Sequence, residues 1–250
     1  MSTVSVENRG DVAVVTLDRP PANAFDPEFV AALRASLRGL SGARALVLLS
    51  ANPRLFSAGW DLRVLSAFGR SDMEAFVADY CGLVRDIFAF PAPVLAALPG
   101  HAIAGGLIVA AAADERLAAD GPGTLGLSEV ALGVPIPSAC YEVFRHVMGE
   151  RGAERLAAAG DNVSVARALE LGLVDRVVAA ADLSSAALSR ARDLAGRAPA
   201  AYAEIKRRAR APALARFDAA AGDSAFLDFW FAPEARRRIQ ALVERLTKKA

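Results

Sequence analysis

"NPRLFSAGWDL", Asn52 to Leu62, follows directly on the apolar run "ARALVLLS" and sets Ser57, Ala58 and Gly59 ahead of an aromatic and a carboxylate. A buried strand that ends in small residues either turns, or leaves a backbone N–H clear of side chains so that a ligand oxygen can reach it. A second stretch poses the same choice. In "PGHAIAGGLIVAAAAD", Pro99 to Asp114, Gly105 and Gly106 precede a small-residue helix expected to begin near Leu107. The first turn of a helix leaves N–H groups unpaired and carries partial positive charge, which attracts a developing anion. Taken singly, the glycines serve tight packing on a sheet equally well. Taken together, the two stretches offer an accessible amide at the ends of two strand-like segments, Ala58 in one and Gly105 in the other. Two converging donors are what a carbonyl oxygen needs as it gains negative charge in a reaction.

Working outward, "VAVVTL" (Val12 to Leu17) reads as a buried strand ended by the prolines of "DRPPAN". Asp26-Pro27 reads as an N-cap and first helical residue, followed by Phe29, Leu33, Leu37 and Leu40 on one helical face. "ALVLLS" and "PVLAAL" are further strands, and the helix between them, "DMEAFVADYCGLVRDIFAF", stops at Pro91 and Pro93. This alternation predicts a parallel sheet with helical crossovers. Helices are expected over Ser138 to Met148 and Gly152 to Ala159, and a short helix, a Gly172 stop and a strand in "VSVARALELGLVDRVV". Beyond about Ala181 the pattern is helical only, ending in an amphipathic stretch with Ile239, Leu242, Val243 and Leu246. The change of texture places a boundary near residues 190–200. No sequence repeat stands out.

The chain has 250 residues, enough for one large domain or a domain with an appendage. Its 54% hydrophobic content and mean hydropathy of +0.30 imply a large core or surface hidden by self-association. A net charge of +1 gives no global field for nucleic acid. The longest apolar run, Ala102 to Ala113, is too short to span a bilayer, and the N-terminus has no basic-then-apolar leader pattern. Cys81 and Cys140 fit no metal spacing, and the expectation is a reduced, cytoplasmic protein without a metal.

Three blocks in order, "LFSAGWDL", "GHAIAGG…AAAAD" and "LGLSEVALGVPIP" from Leu125, give the chain a resemblance to the crotonase, or enoyl-CoA hydratase/isomerase, family. The likeness extends from "LDRPPANAF" to "FAPEARRRIQALVER". It implies an α/β fold: a ββα spiral core over residues 1–192 with the acyl-CoA site, then a helical trimerisation segment over 193–250. It also implies a homotrimer or homohexamer, an acyl-CoA thioester as substrate, and no cofactor beyond the CoA that the substrate carries. The family's oxyanion-hole amides fall on Ala58 and Gly105. Its acyl-CoA contacts fall on Ala22, Asn23 and Ala24, on Ser57, Ala58, Gly59, Trp60 and Asp61, and on Gly105 with Gly106. Asp61 has an ordinary alternative role as cap of the next helix. Arg19, Arg54 and Arg63 flank these blocks as candidates for the CoA phosphates.

The resemblance also locates the base. Hydratases of the family hold one water between two glutamates. The downstream one falls on Glu129, and the other falls on Ile108, whose side chain has no oxygen to orient water or pass a proton. One carboxylate suffices to move a double bond: it takes a proton from C2 and returns it at C4 while the dienolate sits in the oxyanion hole. The expectation is therefore a Δ3-Δ2-enoyl-CoA isomerase with Glu129 as base in an apolar pocket that raises its pKa. Its rivals are a hydratase working on one glutamate and a non-catalytic acyl-CoA-binding homologue. Glu142, on the following helix, is expected at the surface. "GPGTLG", Gly121 to Gly126, matches a dinucleotide glycine pattern but precedes a strand-like "GLSEV" rather than a helix. His101 and His146 have no metal spacing around them, and His101 is expected to be packed and hydrogen-bonded rather than to line the pocket.

Overall fold

Residues that alternate between the two faces of a strand have to be covered on both sides when the run is apolar throughout, and that rule organises this chain. The computed structural model describes residues 3–40, 42–222 and 224–248; Met1 and Ala250, the outer ends of the two expected segments, lie outside the described residues. The chain opens with β1 (Val4–Arg9), β2 (Val12–Leu17), α1 (Pro27–Arg38), β3 (Ala45–Ser50), β4 (Leu55–Ser57), α2 (Leu62–Leu65) and α3 (Arg70–Phe88). It continues with β5 (Val94–Leu98), β6 (His101–Ile103), α4 (Gly105–Ala111), β7 (Glu115–Ala119), β8 (Thr124–Gly126) and α5 (Ser138–Ala159). Then come β9 (Asn162–Ser164), α6 (Val165–Glu170), β10 (Arg176–Val178), α7 (Leu183–Ala195), α8 (Pro199–Ala220), α9 (Ala225–Trp230) and α10 (Pro233–Thr247).

The larger sheet has the order β1-β2-β3-β5-β7-β10, parallel except for the β1–β2 hairpin at its edge. The smaller has the order β4-β6-β8-β9. Successive pairs β3–β4, β5–β6 and β7–β8 each send their first strand to the large sheet and their second to the small one, and then enter a helix. This is the ββα spiral. No repeat showed in the sequence because the small-sheet strands are three residues long, too short for a period to register.

One face of the large sheet, including Val14, Val47, Leu95 and Leu117, is covered by Leu183, Ala187, Leu188 and Ala191 of α7. The opposite face, including Val15, Leu48 and Leu98, joins the main core with α1, α3, α4 and α5. The expected division between residues 192 and 193 falls inside α7, which packs on the sheet, while the chain turns wholly helical earlier, after β10. α5 breaks at Gly149 (φ 70°, ψ 169°), between the two stretches read as helical. The apolar stripe of α10 is used within the chain, since Ile239 is buried and Val243 packs on the core. Cys81 and Cys140, far apart in sequence, bring their Sγ atoms to 3.6 Å between α3 and α5. Among the described residues no helix is long and apolar enough to cross a membrane.

One buried ionic cluster ties α8 to the sheet. Asp114, just past α4, accepts from Val94 N (2.7 Å) and from Lys206 Nζ (2.6 Å), and pairs with Arg210 Nη2 (2.8 Å). Arg210 also donates to the carbonyls of Phe88, Ala112 and Ala113 at the ends of α3 and α4 and lies 4.2 Å from the Phe88 ring centre. Removing the one anion of such a cluster leaves two cations buried without compensation. Asp114→Ala should therefore cost on the order of 3–5 kcal/mol of stability, read as a lower urea midpoint at unchanged slope.

Candidate active site

Two loops meet because glycine lets them. Gly59 sits at φ +90°, and a Cβ there would come within 2.9 Å of Ile103 O and 3.1 Å of Gly105 N, so the turn after β4 lies directly against the start of α4. The same turn is pinned from the other side. Phe25 N donates to Gly59 O and Asp61 N donates to Phe25 O, both at 2.8 Å, forming a parallel bridge between Phe25 and Trp60. Neighbouring amides of an extended segment point opposite ways. The bonds to Phe25 on either side of Trp60 therefore turn the Trp60 N–H away, and it has no acceptor among the described residues. The Gly105 N–H, the first of α4, likewise has none.

This corrects the expectation for Ala58. Its side chain lines the cavity, but its N–H donates to Ala22 O at 3.0 Å and is not free. The open amide of this turn belongs to Trp60, two residues on.

Both free amides border a cavity of about 630 Å³. Ala22, Ala24, Ala58, Trp60, Asp61, Gly105, Ile108 and Glu129 all line it. Asn23, Ser57, Gly59 and Gly106 do not; they hold the loops in shape. Asn23, in a left-handed conformation (φ 47°), donates from Nδ2 to Ser50 Oγ and Phe56 O and accepts from Arg19 N at Oδ1. Ser57 Oγ donates to Asn23 O and accepts from Gly59 N, while Gly106 is packed against Ser57. Asp61 caps α2 by accepting from Arg63 N and is also paired with Arg19. Of the three flanking arginines, Arg19 is engaged by Asp26, Asp61 and Ala24 O, Arg54 lies off the cavity, and Arg63 is on its wall.

Glu129 follows β8 but is not on a strand: the chain bends after Gly126, and Glu129 to Leu132 form a 3-10 turn closed by Val134 N donating to Glu129 O. That turn aims the side chain at a wall of Ile108, Leu132, Val134, Pro137, Phe226 and Trp230. Glu129 Oε2 is sealed from solvent with no hydrogen-bond partner. Burial pushes the carboxyl up to about 7, opposed only by a backbone N–H bond. Asp61 is the other acid on the cavity wall and is already neutralised by its partners. Glu142, expected at the surface, is buried on α5, held by Arg145 and Arg216, and does not line the cavity. His101 is exposed and bonded to Thr124, against the expectation of a packed residue, and His146 is exposed, edge-on to Phe88; neither lines the cavity. Among the described residues no group of three His, Cys, Asp or Glu side chains is placed to hold a metal ion.

Sequence reading missed the aromatic floor. Trp60 meets Phe76, Tyr80, Phe226 and Trp230 edge-on, with ring centres 5.0 to 6.1 Å apart. The only sequence signal was their i, i+4 spacing on α3 and α9, which is also the spacing of any buried helix face. Leu242 and Leu246 of α10 reach the same cavity.

The family model for enoyl-CoA hydratase/isomerase matches residues 7–247. Carnitinyl-CoA dehydratase of Escherichia coli is 30% identical over 207 residues, covering 82% of this chain and 78% of that protein. Human mitochondrial delta3-delta2-enoyl-CoA isomerase superposes with a TM-score of 0.94 at 28% identity, over 99% of both chains. The probable enoyl-CoA hydratase EchA3 of Mycobacterium tuberculosis gives 0.85 at 28% identity, over 91% of this chain and 96% of that one. With a model match spanning nearly the whole chain and the ββα spiral of these structures, this chain belongs to the crotonase, or enoyl-CoA hydratase/isomerase, family.

Proposed function

We propose that the chain isomerises 3-enoyl-CoA thioesters to 2-enoyl-CoA thioesters with Glu129 as its single base. The observation that carries this is the lone uncommitted carboxylate of an apolar cavity, with Ile108 where a second carboxylate would be needed to hold water. Glu129 takes a proton from C2 of the substrate. The C–H electron pair moves into the thioester, giving a dienolate whose oxygen accepts from the Trp60 and Gly105 amides. The protonated Glu129 then delivers its proton to C4, and the double bond lies between C2 and C3. A carboxyl with a pKa near 7 gives up and regains a proton with little penalty at neutral pH. Apolar walls strengthen both amide bonds to the enolate oxygen. Arg63, at the wall and partly exposed, is the arginine placed to meet a CoA phosphate.

A hydratase or dehydratase reading is favoured by the likenesses to carnitinyl-CoA dehydratase and to the probable enoyl-CoA hydratase EchA3. Ultraviolet absorbance of the conjugated thioester separates the two. Absorbance gained from a 3-enoyl-CoA, with little lost from a trans-2-enoyl-CoA, is the isomerase result; rapid loss from the 2-enoyl substrate sinks it in favour of hydration. No change in either, with binding confirmed, points to a non-catalytic acyl-CoA binder.

Glu129→Gln should lower kcat by roughly 10²–10⁴ while the substrate still binds, and wild-type kcat/KM should rise with pH to a plateau with an apparent pKa near 7. Stability should move the other way. The folded state holds this proton more tightly than the unfolded chain, whose carboxyl has the ordinary value of 4.5. The contribution is complete below that value and is lost as pH rises through about 7, an effect on the order of 3 kcal/mol. Urea midpoints between pH 4 and 8 should therefore fall more steeply for wild type than for Glu129→Gln; parallel curves would mean that the carboxyl is not perturbed.

A further inference from the structure

Tyr80 of α3 is completely buried, and the reaction derived above gives it no part. Its hydroxyl donates to Gly105 O, the carbonyl of the residue whose N–H opens α4. Its ring lies edge-on to the Trp60 indole, with centres 5.2 Å apart, and edge-on to Phe25 at 5.7 Å. Phe25 is the residue whose backbone bridges to Trp60. The contact with Gly105 is tight: a Cβ there would lie 2.8 Å from Trp60 Cδ1 and 3.0 Å from the Tyr80 hydroxyl oxygen. One phenol therefore touches both arms that carry the free amides, arms separated by 45 residues in sequence.

The segment it holds is strained. Ala104, immediately before Gly105, has φ 50° and ψ −125°, a conformation that a residue with a Cβ rarely adopts. Three bonds hold it: Ala104 N donates to Gly126 O at 2.7 Å, Ile108 N donates to Ala104 O at 3.0 Å, and Tyr80 holds Gly105 O on the far side. Without the hydroxyl, the Gly105 carbonyl loses its side-chain anchor, and Gly105 can turn to relieve the strain at Ala104, which swings the Gly105 N–H off the cavity. Burial pushes the Tyr80 hydroxyl well above its ordinary pKa, with the Cys140, Glu129 and Cys81 charges adding to the shift, so it stays a donor throughout the working range.

We propose that Tyr80 is a positioning residue that sets the aim of both oxyanion donors, anchoring the Gly105 carbonyl next to the strained Ala104 and bracing Trp60 against it. The inference rests on the assignment of the Trp60 and Gly105 amides as the oxyanion pair, and its test reads carbonyl polarisation separately from turnover. The probe is the CoA thioester of 4-(dimethylamino)cinnamic acid, whose absorption moves to longer wavelength when its thioester carbonyl is hydrogen-bonded. Bound to wild type it should red-shift. Bound at saturation to Tyr80→Phe it should lose at least half of that shift, with Kd changed by less than about threefold, and kcat for the 3-enoyl substrate should fall about tenfold or more at a similar KM. Tyr80→Phe/Ala104→Gly, in which glycine adopts the 104 conformation without strain, should regain most of the red shift.

A full red shift in Tyr80→Phe overturns the proposal. So does a loss that tracks weaker binding and a lower melting temperature and is not recovered by Ala104→Gly, because that is the behaviour of a packing residue. If Tyr80→Phe alone does not fold but the double variant does, the strain it relieves is the strain proposed; if neither folds, Tyr80 is a core residue and the proposal fails. A wild type that binds without any red shift overturns the oxyanion assignment and this inference with it. A wild type that red-shifts the probe without isomerising 3-enoyl-CoA overturns the isomerase reading alone.

Discussion

The approach of Gly59 to Ile103 and Gly105 joins two parts of the chain that share no local sequence signal, and the cavity exists because of it. Backbone can come that close only where no Cβ intervenes, so the turn after β4 needs glycine at that point, and its φ of +90° needs glycine for a second reason. The bridge to Phe25 then fixes the rotation of the turn about its own axis. Once that rotation is set, the Trp60 amide has one direction left to it, and that direction is the cavity. Asn23 and Ser57, both buried, hold the loops from behind by satisfying their backbone groups. Polar side chains here serve shape, and the proposed chemistry falls to backbone N–H groups and one carboxylate.

Charge is distributed to keep that carboxylate alone. Asp26 and Asp61 are paired with Arg19, Asp114 with Lys206 and Arg210, and Glu142 with Arg145 and Arg216. Glu129 faces apolar walls, with Oε2 free of any partner. A cation beside it would lower its pKa and stabilise it as an inert anion; a second carboxylate would compete for the same proton. Ile108 supplies neither. Folding bears the cost of desolvating the carboxyl, while four aromatic rings pack around Trp60 of the same cavity wall.

Much of the fold was legible. The β2, β3 and β5 runs are apolar on both faces, which demands helices on either side, and proline and glycine mark where the elements stop. The small sheet was not legible: its strands are too brief for alternation, and "GLSEV" reads as a strand where the chain bends into a 3-10 turn at Glu129. That bend is decided by Val134 N reaching back to Glu129 O and by Gly133, which closes the turn at φ +78°. In the site, the motif blocks picked out loops and an acid that meet at one cavity, yet the Ala58 N–H they offered is bonded to Ala22 O, and Asn23, read as a ligand contact, holds the scaffold.

The sequence by itself determined the element types, the ordered motif blocks of the family, the glycines at the close approach, and the apolar side chain at 108 opposite an acid at 129. These depend on residue identity and on short-range spacing, which the chain carries in full. Only the tertiary structure decided that the free amide is Trp60 and not Ala58, that Asp61 and Glu142 are neutralised while Glu129 is not, and that Tyr80 touches both donor arms. The direction of an N–H is fixed by which strand its neighbours bond to, and the pKa of an acid by what surrounds it. Both are set by residues tens of positions away, brought together by the spiral.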